Sequence, residues 1–479
     1  MSDRRGYFTA DEVRAAEAEL FTRVPAGMPM RRAAYGLATV VADELRSETG
    51  GVVGRAVGLL VGSGDNGGDA LWAGSMLARR GVSVTAALLN PERAHREGLA
   101  ALRAAGGRVV DRLGAVDLVV DGIVGISGRG PLRPAAAEMV AAVDVPIVAA
   151  DLPSGVDPDT GAIDGPAVRA AVTVAFGAYK PVHALATPHC GRIVLVPIGL
   201  RLPEPGLAQL DPAAIGAGWP VPLATDDKYS QGVVGVCAGS ATYPGAGVLS
   251  TGAAVAATSG LVRYVGDDTE VLEKFPEVIA SHTISGAGRV QAWAFGPGAG
   301  TGIAAMDRLA QVLATDLPVL VDADGLTLLA AEPALVRGRT APTVLTPHAG
   351  EFARLTGVEL GPDRVAAVRA LADEWQVTVL FKGRATIIGA PGEATLVNDA
   401  GGSWAATAGS GDVLSGIIGA LLAAGRPPAW SAAAAARVHA LAANLAAFDG
   451  QPAAAPISAS PLLHHIRPAV RVLRELAAE

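Results

Sequence analysis

The chain has 479 residues, half of them hydrophobic and 18% charged, which predicts two or three globular domains with well-buried cores. A net charge of −8 and a pI near 5.6 argue against a nucleic-acid-binding protein. The two cysteines, Cys190 and Cys237, cannot build a disulfide framework and indicate a reducing, cytoplasmic setting.

The first half of the chain predicts strands that alternate with helices. Two helices are expected within residues 11–45, with Thr9 or Asp11 capping the first. Short β-branched runs follow, separated by helical patterns, and they indicate a parallel sheet covered on both faces. The predicted strands are 57–61, 82–89, 116–120, 145–150 and 171–176, and the predicted helices are 69–80, 92–105 and 134–143.

Residues 202–224 interrupt this alternation with recurring proline and glycine. They predict a linker between two domains, 1–212 and 213–479. The second half then repeats the α/β pattern, so the expected fold class is α/β, with two three-layer α/β/α domains. Its predicted strands are 233–238, 261–264, 292–295, 319–322, 343–346 and 377–382, and its predicted helices include 247–257 and a helix opened by Asp412.

No segment predicts a signal peptide or a membrane span. The first residues, MSDRRGYFTADEV, lack an apolar stretch after their arginines. The apolar window 432–448 is too short to cross a bilayer and contains Arg437 and His439. We therefore expect a soluble protein without a membrane partner.

Three glycine-rich loops in the first half follow predicted strands. Residues 62–67 satisfy the dinucleotide fingerprint G-x-G-x-x-G, but no ribose-binding acid follows the next strand, which argues against that function. The other loops span 121–131 and 151–157. Because the carboxyl ends of parallel strands meet at one sheet edge, we expect the three loops to form one site.

Polar side chains in these loops indicate what the site could bind. Oxygen donors from Asn66, Asp121 and Ser154 suit a hard cation better than zinc. Arg129 could pair with a phosphate that the glycine-rich backbone approaches. Each residue alone could equally form a turn, but three loops at one edge favour a site.

These loops resemble the N-terminal domain of NAD(P)H-hydrate epimerases. The shared motifs are DNGGD at 65–69, DGIVGISGRGP at 121–131 and DLPSG at 151–155, and the resemblance covers residues 8–205. It implies a Rossmann-like domain in which a potassium ion is held by Asn66, Asp121 and Ser154. It also implies a catalytic Asp151 that moves a proton as the C6 hydroxyl of the hydrated nicotinamide ring leaves and returns. The substrate site implied by the resemblance comprises Asp65 (where the family usually has asparagine), Asn66, Gly67, Gly68, Asp69, Gly125, Ile126, Ser127, Gly128, Arg129, Gly130, Pro131 and Asp151.

The most informative motif of the chain is TAGSGDVLSG at 407–416. Its glycines and serine precede an apolar run with helical spacing, so they lie over a helix N-terminus, which favours an anion. Asp412 beside a bound phosphate could take a proton from an attacking hydroxyl, as a base does in phosphoryl transfer. The alternative is a capped helix with a flexible entry.

Further loops of the second half follow predicted strands. The chain has no P-loop motif and no G-x-S-x-G elbow, so a P-loop nucleotidase is excluded and α/β-hydrolase chemistry has no support. His348 alone could be a loop histidine and Lys382 a solvated strand end. Their positions beside glycine-rich loops favour contact with a ligand.

The second half resembles the ribokinase-like superfamily and, within it, the ADP/ATP-dependent NAD(P)HX dehydratases. The motifs GS…YPGA, GPGAG, DADGL, TPHAGE, KG and AGSGDVLSG occur in the family's order over residues 225–479. The resemblance implies a ribokinase-like domain that transfers a phosphoryl group from ADP or ATP, with Mg²⁺, to the C6 hydroxyl of the hydrate. Phosphate would then leave, and Asp412 would be the catalytic base.

The hydrate would be bound by Ala246, Gly298, Gly300, His348 and Asp412. The nucleotide would be bound by Lys382, Gly383, Arg384, Ala385, Thr386, Gly402, Thr407, Gly409, Ser410 and Gly411. The segment at Lys228 departs from the family pattern, and no role is assigned to that lysine.

The leading hypothesis is therefore a bifunctional, cytoplasmic repair enzyme. It would epimerise the R and S forms of hydrated NADH and NADPH (NADHX and NADPHX) and dehydrate the S form at the expense of ADP or ATP. We expect a homo-oligomer without nucleic-acid or membrane partners.

One alternative is a vitamin or sugar kinase of the same superfamily with an accessory N-terminal ligand-binding domain, which would yield a stable phosphorylated product. The other makes the N-terminal half a non-catalytic module, and the presence of Asn66, Asp121, Asp151 and Ser154 speaks against it.

Overall fold

The computed structural model describes residues 3–478 and divides into two compact units. The N-terminal domain comprises Gly6–Leu207. The C-terminal domain comprises the described residues from Ala208 onward, together with those up to Arg5. The division falls between Leu207 and Ala208, within the predicted linker and before the predicted boundary at 212/213.

The N-terminal domain alternates strands and helices, as predicted. Its strands, after β1 (Arg4–Tyr7) at the start of the chain, are β2 (Ala56–Val61), β3 (Ser83–Leu88), β4 (Arg108–Val110), β5 (Leu118–Gly122), β6 (Ile147–Ala150), β7 (Val172–Phe176) and β8 (Arg192–Val196). Its helices are α1 (Ala10–Phe21), α2 (Met28–Thr49), α3 (Asp65–Arg79), α4 (Arg96–Ala104), α5 (Pro134–Ala141), α6 (Val182–Leu185) and α7 (Thr187–Cys190). Thr9 caps α1 in a capping box with Glu12, as the sequence predicts.

The sheet of this domain has seven strands in the order β4-β3-β2-β5-β6-β7-β8, and its strand pairs are parallel. Both faces are buried: Leu118 of β5 packs with Leu37 and Leu71 on one face, while Val119 packs on the other. From β2 the chain moves to β3 and β4 on one side and continues through β5 on the other. Strands β2 and β5 therefore border a topological switch point, where open α/β sheets bind ligands.

Helix α3 begins at Asp65 rather than at residue 69, so the DNGGD motif forms the first helical turn and not a loop. Tertiary packing overrides the low helix propensity of its glycines, because the side chain of Asn66 and both glycines of the motif are buried. The turn therefore places polar side chains directly over the carboxyl end of β2.

The C-terminal domain has a larger sheet. Its further strands are β9 (Leu207–Leu210), β10 (Val233–Cys237), β11 (Leu261–Val265), β12 (Ile279–Ser281), β13 (Ala292–Phe295), β14 (Val319–Val321), β15 (Thr343–Leu345), β16 (Thr378–Phe381), β17 (Ala385–Gly389) and β18 (Thr395–Asp399). Its helices are α8 (Pro212–Gly218), α9 (Pro244–Ala257), α10 (Glu270–Lys274), α11 (Ile303–Leu313), α12 (Asp324–Ala331), α13 (Ala349–Thr356), α14 (Arg364–Trp375), α15 (Ser410–Ala423), α16 (Pro428–Phe448), α17 (Ala459–His464) and α18 (Ile466–Leu476).

The eleven strands have the order β1-β9-β18-β17-β16-β15-β14-β13-β10-β11-β12. The stretch from β12 to β16 is parallel, whereas β17 pairs antiparallel with both β16 and β18. The sequence did not predict β17 or β18. Strands β10 and β13 border the switch point of this sheet, because the chain leaves β10 towards β11 and later continues outward from β13.

The predicted linker is partly ordered secondary structure. It contains β9 and α8, and Ile215 and Trp219 are buried in the core of the C-terminal domain. The Trp219 indole Nε1 also donates to the carbonyl oxygen of Ala257 at 3.0 Å. This segment thus also contributes apolar residues to the core of the C-terminal domain.

Helix α15, which carries Asp412, is fixed by close packing against α9. A Cβ on Gly416 would lie 2.1 Å from the carbonyl oxygen of Ser250, so only glycine permits this approach. The residues of α15 from Val413 onward are buried. Among the residues that the structure describes, no helix is sufficiently long and apolar to cross a membrane.

Candidate active sites

A cavity of about 1550 Å³ opens at the switch point of the N-terminal domain. It is lined by Asp65, Asn66 and Asp69 of α3, by the whole predicted 125–131 loop, and by Asp151. The predicted residues Gly67 and Gly68 do not line it, because they lie in the helix beneath. A Cβ on Gly68 would meet the side chains of His95 and Met30 at 3.0 Å.

Asp121 and Ser154 lie buried at the carboxyl ends of β5 and β6. The Asp121 carboxylate accepts hydrogen bonds from the backbone N–H of Ser154 (2.8 Å), the Ser154 hydroxyl (2.7 Å) and the backbone N–H of Ile123 (3.1 Å). No basic side chain lies within 4 Å of it among residues 3–478. Burial raises the pKa of Asp121 to about 6, although the Ser154 hydrogen bonds oppose the shift. A fully buried carboxylate is thus left without a cationic partner.

Asn66 joins this group from α3. Its side chain is buried, and its amide nitrogen Nδ2 has no hydrogen-bond partner in the described part of the chain. A Cβ on Gly125 would lie 3.3 Å from Asn66 Oδ1 and 3.5 Å from Asp151 Oδ2. The structure therefore brings the three predicted loops together around one space.

Asp151 follows β6 in an unusual backbone conformation. Its φ of 68° lies in the left-handed region, which few residues other than glycine adopt. Oδ1 of its carboxylate forms an ion pair with Lys180 Nζ and accepts the backbone N–H of Phe176 at 3.1 Å. His183 Nε2 lies 2.9 Å from the carbonyl oxygen of Asp151.

The sequence did not point to Lys180 or His183, but a signal was present. The chain contains only four lysines, Lys180, Lys228, Lys274 and Lys382, and relies on arginine elsewhere for its cations. Two of the four, Lys180 and Lys382, are largely buried and paired with carboxylates. In a protein that uses lysine so rarely, a lysine indicates a position that arginine cannot fill, because the two are not interchangeable in tight, buried sites.

Further carboxylates surround Asp151. Burial, and then the charges of Asp151, Asp65 and Glu17, raise the pKa of Asp69 well above its ordinary value. Burial also raises the pKa of Glu17, with Asp151 adding to the shift. Asp69 Oδ1 is buried without a hydrogen-bond partner among the described residues. The cavity is thus lined by two carboxyl groups, those of Asp69 and Glu17, whose pKa values are raised.

The candidate site of the C-terminal domain centres on the first turn of α15, where the structure places Asp412. The helix is capped by Gly409 with a φ of 83° and without a side-chain cap, so its first N–H groups stay available to a ligand. Burial, and then the charge of Asp322, raise the pKa of Asp412 to about 7, while Lys382 opposes the shift. That value suits a general base near neutral pH.

Lys382 bridges two carboxylates next to Asp412. Its Nζ lies 2.7 Å from Asp322 Oδ1 and 3.5 Å from Glu351 Oε2. The Ser415 hydroxyl of α15 donates to Asp322 Oδ2 at 2.7 Å, which ties this network to the helix. Burial lowers the pKa of Lys382, but Asp322 and Glu351 outweigh it and the net shift is upward, so the lysine stays charged. The sequence named the loops of Asp322 and Glu351 but assigned those residues no role.

The predicted hydrate-binding residues lie around this network. Gly298 packs on Ala246, since a Cβ on Gly298 would lie 2.8 Å from the Cβ of Ala246. The backbone N–H of Gly300 donates to Asp324 Oδ2 at 2.9 Å. His348 caps α13, and its backbone N–H donates to Glu351 Oε2 at 2.8 Å, which connects it to Lys382.

The predicted nucleotide-binding residues fall in two neighbouring segments. The first, with Gly383, Ala385 and Thr386, enters β17, and the second leads into α15 and includes its first two residues. Arg384 links them, because its guanidinium lies 3.6 Å from Asp399 Oδ1 and donates to the carbonyl oxygen of Gly401 at 3.2 Å. The second segment comprises Gly402, Thr407, Gly409, Ser410 and Gly411, and a Cβ on Gly411 would lie 3.7 Å from Lys382 Nζ.

Comparisons with known families match both domains. A family model described as NAD(P)H-hydrate dehydratase matches residues 234–463, and one described as YjeF-related protein N-terminus matches residues 27–182. The crystal structure of a ribokinase-like superfamily protein from Enterococcus faecalis is 22% identical in sequence, with a TM-score of 0.51, over 57% of this chain and 98% of its own. The ribokinase-like fold predicted for the C-terminal domain is thereby confirmed.

Whole-length relatives include both domains. The bifunctional NAD(P)H-hydrate repair enzyme Nnr of Mycobacterium leprae is 60% identical over 98% of this chain and 100% of its own length. The protein of the same name from Mycobacterium tuberculosis is 61% identical over the same shares, and that of Corynebacterium glutamicum is 37% identical over 87% of each chain. With this identity over nearly its full length, the chain belongs to the family of bifunctional NAD(P)H-hydrate repair enzymes.

Proposed function

We propose that the chain repairs hydrated NADH and NADPH through two activities. The N-terminal domain interconverts the R and S forms of NADHX and NADPHX, and the C-terminal domain dehydrates the S form with ADP or ATP. The observation that carries the proposal is the matched placement of one carboxylate in each domain. Asp151 and Asp412 each lie at the carboxyl edge of the sheet, beside glycine-rich backbone that a phosphate could approach.

In the epimerase reaction, the C6–O bond breaks as the lone pair of the ring nitrogen forms a C=N bond. The departing hydroxyl takes a proton and leaves as water. Water then adds to the other face of C6 and gives its proton to a carboxylate. Asp151 is the proposed proton carrier, because its Oδ2 faces the space beside Gly125 and Asn66. The 125–131 loop would bind the phosphates, and Arg129 would contribute charge.

The oxygen donors beneath this cavity fit a potassium ion. Asp121 supplies a buried carboxylate with no cationic side chain nearby within residues 3–478, Ser154 a hydroxyl, and Asn66 a buried side-chain amide. Hard cations prefer such oxygen ligands. The ion would supply the missing positive charge and hold the loops after β2, β5 and β6 in their relative positions.

We expect potassium to stabilise the N-terminal domain. A ligand that binds only the folded state raises the free energy of unfolding, by about 1–3 kcal/mol at saturating concentrations. The midpoint of thermal unfolding should be higher in potassium chloride than in N-methylglucamine chloride of equal ionic strength. Asp121→Asn should remove most of that difference, and equal midpoints for the wild-type chain in both salts would contradict the site.

In the dehydratase reaction, Asp412 would take the proton of the C6 hydroxyl as that oxygen attacks the terminal phosphorus of ADP or ATP, and the bond from that phosphorus to the departing AMP or ADP breaks. The phosphorylated oxygen then leaves as phosphate, and transfer of the C5 proton to water restores the C5=C6 bond of NADH or NADPH. The free N–H groups of α15 would hold the transferred phosphoryl group. Mg²⁺ would bind together with the nucleotide phosphates. Residues 382–386 and 402–411 would hold the nucleotide.

The test is incubation with a mixture of hydrate epimers and ADP or ATP, with the absorbance of the reduced nicotinamide followed over time. Complete conversion is expected if both activities are present, and half conversion if only the dehydratase is. No conversion with either nucleotide would overturn the proposal. A stable phosphorylated product without free phosphate would favour the vitamin or sugar kinase.

Gly125→Ala is expected to weaken epimerisation without unfolding the domain. The backbone of Gly125 is not in the left-handed region, so alanine is tolerated there. Its methyl group would enter the space between Asn66 and Asp151. We expect KM for epimerisation to rise about tenfold, and the midpoint of thermal unfolding to change by less than about 2 °C. An unchanged KM would mean that the substrate does not enter this space.

The same proposal includes a cytoplasmic homo-oligomer that binds neither nucleic acid nor membrane. It is supported by the cysteine content, since two cysteines cannot build a disulfide framework, and by the negative net charge. Size-exclusion chromatography with light scattering would measure the assembly state.

A further inference from the structure

Asp151 is held from three sides in a conformation that it would rarely adopt alone. Left-handed backbone at a residue other than glycine costs of order 1–3 kcal/mol and persists only when its surroundings enforce it. The carboxylate oxygen Oδ1 is occupied by Lys180 Nζ and by the backbone N–H of Phe176. Oδ2 remains on the cavity side, 3.5 Å from a Cβ built on Gly125. The arrangement thus leaves one oxygen for the substrate.

His183 holds the backbone of the same residue. The backbone N–H of Lys180 donates to His183 Nδ1 at 3.0 Å, so the ring proton lies on Nε2. Nε2 then donates to the carbonyl oxygen of Asp151 at 2.9 Å. Burial, and then the charge of Lys180, lower the pKa of His183 to about 4, so the neutral ring keeps this tautomer near neutral pH.

Lys180 is the buried cation that balances the carboxylates facing Asp151. Its side chain is 1% exposed, and Nζ also donates to the carbonyl oxygen of Phe176 at 2.9 Å. On the other sides, Asp69 and Asp65 approach from α3 and Glu17 from α1, with Arg14 beside Glu17. Without the lysine, several acidic groups would face one another in this space without a buried cation between them.

We propose that Lys180 and His183 are positioning residues for epimerisation. Lys180 fixes Oδ1 of Asp151 and supplies the counter-charge of that carboxylate, and His183 holds the strained backbone of Asp151. Oδ2 of Asp151 is thereby left to meet the substrate. This inference rests on the proposed epimerase function of the N-terminal domain. Lysine suits the position because its compact ammonium reaches both the carboxylate and the Phe176 carbonyl, whereas a planar guanidinium needs more room.

The full-length chain offers an internal control for the test. Epimerisation is measured with the R form as substrate, and dehydration of the S form reports whether the remainder of the chain is intact. Lys180→Met retains the length of the side chain and removes its charge. We expect its kcat for epimerisation to fall about 100-fold, with KM changed by less than about threefold and dehydration unchanged.

A pair of histidine variants separates positioning from a general structural role. His183→Gln retains an N–H donor at the position of Nε2, whereas His183→Leu does not. We expect the glutamine variant to keep at least about ten times the activity of the leucine variant.

The outcomes are distinguishable. Absence of epimerisation in the wild-type chain would refute the proposed function itself. With an active wild type, a Lys180→Met variant that changes KM in place of kcat, or equal kcat values in the two His183 variants, would overturn the positioning roles alone. If Lys180→Met lowers stability, the comparison of the His183 variants still decides the question.

Discussion

Asp412→Asn is expected to abolish dehydration and, at alkaline pH, to stabilise the C-terminal domain. The amide cannot take the proton of the C6 hydroxyl, and loss of a general base reduces kcat on the order of 1,000-fold. Nucleotide binding should persist, because the N–H groups of the α15 N-terminus are unchanged. Asp412→Ala should lose dehydration in the same way.

The stability effect follows from the pKa of Asp412, which burial and Asp322 raise from 3.8 to about 7. Between these values the folded state binds more protons than the unfolded state, so the stability of the wild-type domain falls as pH rises through this window. Asparagine has no charge to bury. The gain in unfolding free energy of Asp412→Asn over the wild type should therefore be absent below about pH 4, grow up to pH 7, and then remain at about 1–3 kcal/mol.

Chemical denaturation at pH 5 and pH 8.5 would measure this difference, with initial dehydration rates measured in parallel. Asp307→Asn is a matched control, because Asp307 lies exposed on α11 and should change neither quantity. Dehydration within tenfold of the wild-type rate would refute the base assignment. A stability difference independent of pH would refute the electrostatic explanation.

Local sequence patterns were sufficient for the parallel strands that precede the site loops and for those loops, but β1, β4, β8, β9 and β12 were not predicted. Buried parallel strands are continuous apolar runs, and glycine-rich turns at their ends are visible without tertiary information. The antiparallel pair β17 and β18 was missed because helices were expected between consecutive strands, whereas these two strands follow β16 directly. The start of α3 was missed because glycine disfavours helices in general. Here packing against β2 and β5 outweighs that preference and makes the first turn helical.

Pairs of charged residues could not be predicted in this way. Lys180 and Asp151 are 29 positions apart, and Lys382 and Asp322 are 60 positions apart. Each pair is formed by loops on different strands, so it depends on strand order, which the sequence did not specify. The rarity of lysine was the remaining signal, and it marks the buried cation of both sites.

The two sites use their buried lysine differently. Lys180 pairs directly with the proposed proton carrier Asp151, whereas Lys382 pairs with Asp322 and leaves Asp412 with a pKa raised to about 7. A base that works once per turnover benefits from a pKa near the working pH. A carboxyl group that gives a proton to the departing hydroxyl and takes one back from the added water benefits from a fixed position.

Asp151→Asn should therefore remove epimerisation and also destabilise the N-terminal domain. Asparagine tolerates left-handed backbone, so the substitution leaves the conformation accessible and removes the charge. Lys180 would then be a buried cation without its carboxylate, which costs about 3–5 kcal/mol for a fully buried pair. A mixture of epimers with ATP should stop at half conversion on a timescale shorter than uncatalysed exchange.

The double variant Asp151→Asn/Lys180→Met separates the two effects. Removal of the unpaired cation should recover most of the lost unfolding free energy, while epimerisation should remain absent because the proton carrier is still missing. Asp164→Asn, an exposed carboxylate of the same domain, serves as the control and should convert the whole mixture. Complete conversion by the double variant would show that Asp151 is not the proton carrier. Failure to recover stability would show that the buried charge of Lys180 is not what destabilises the single variant.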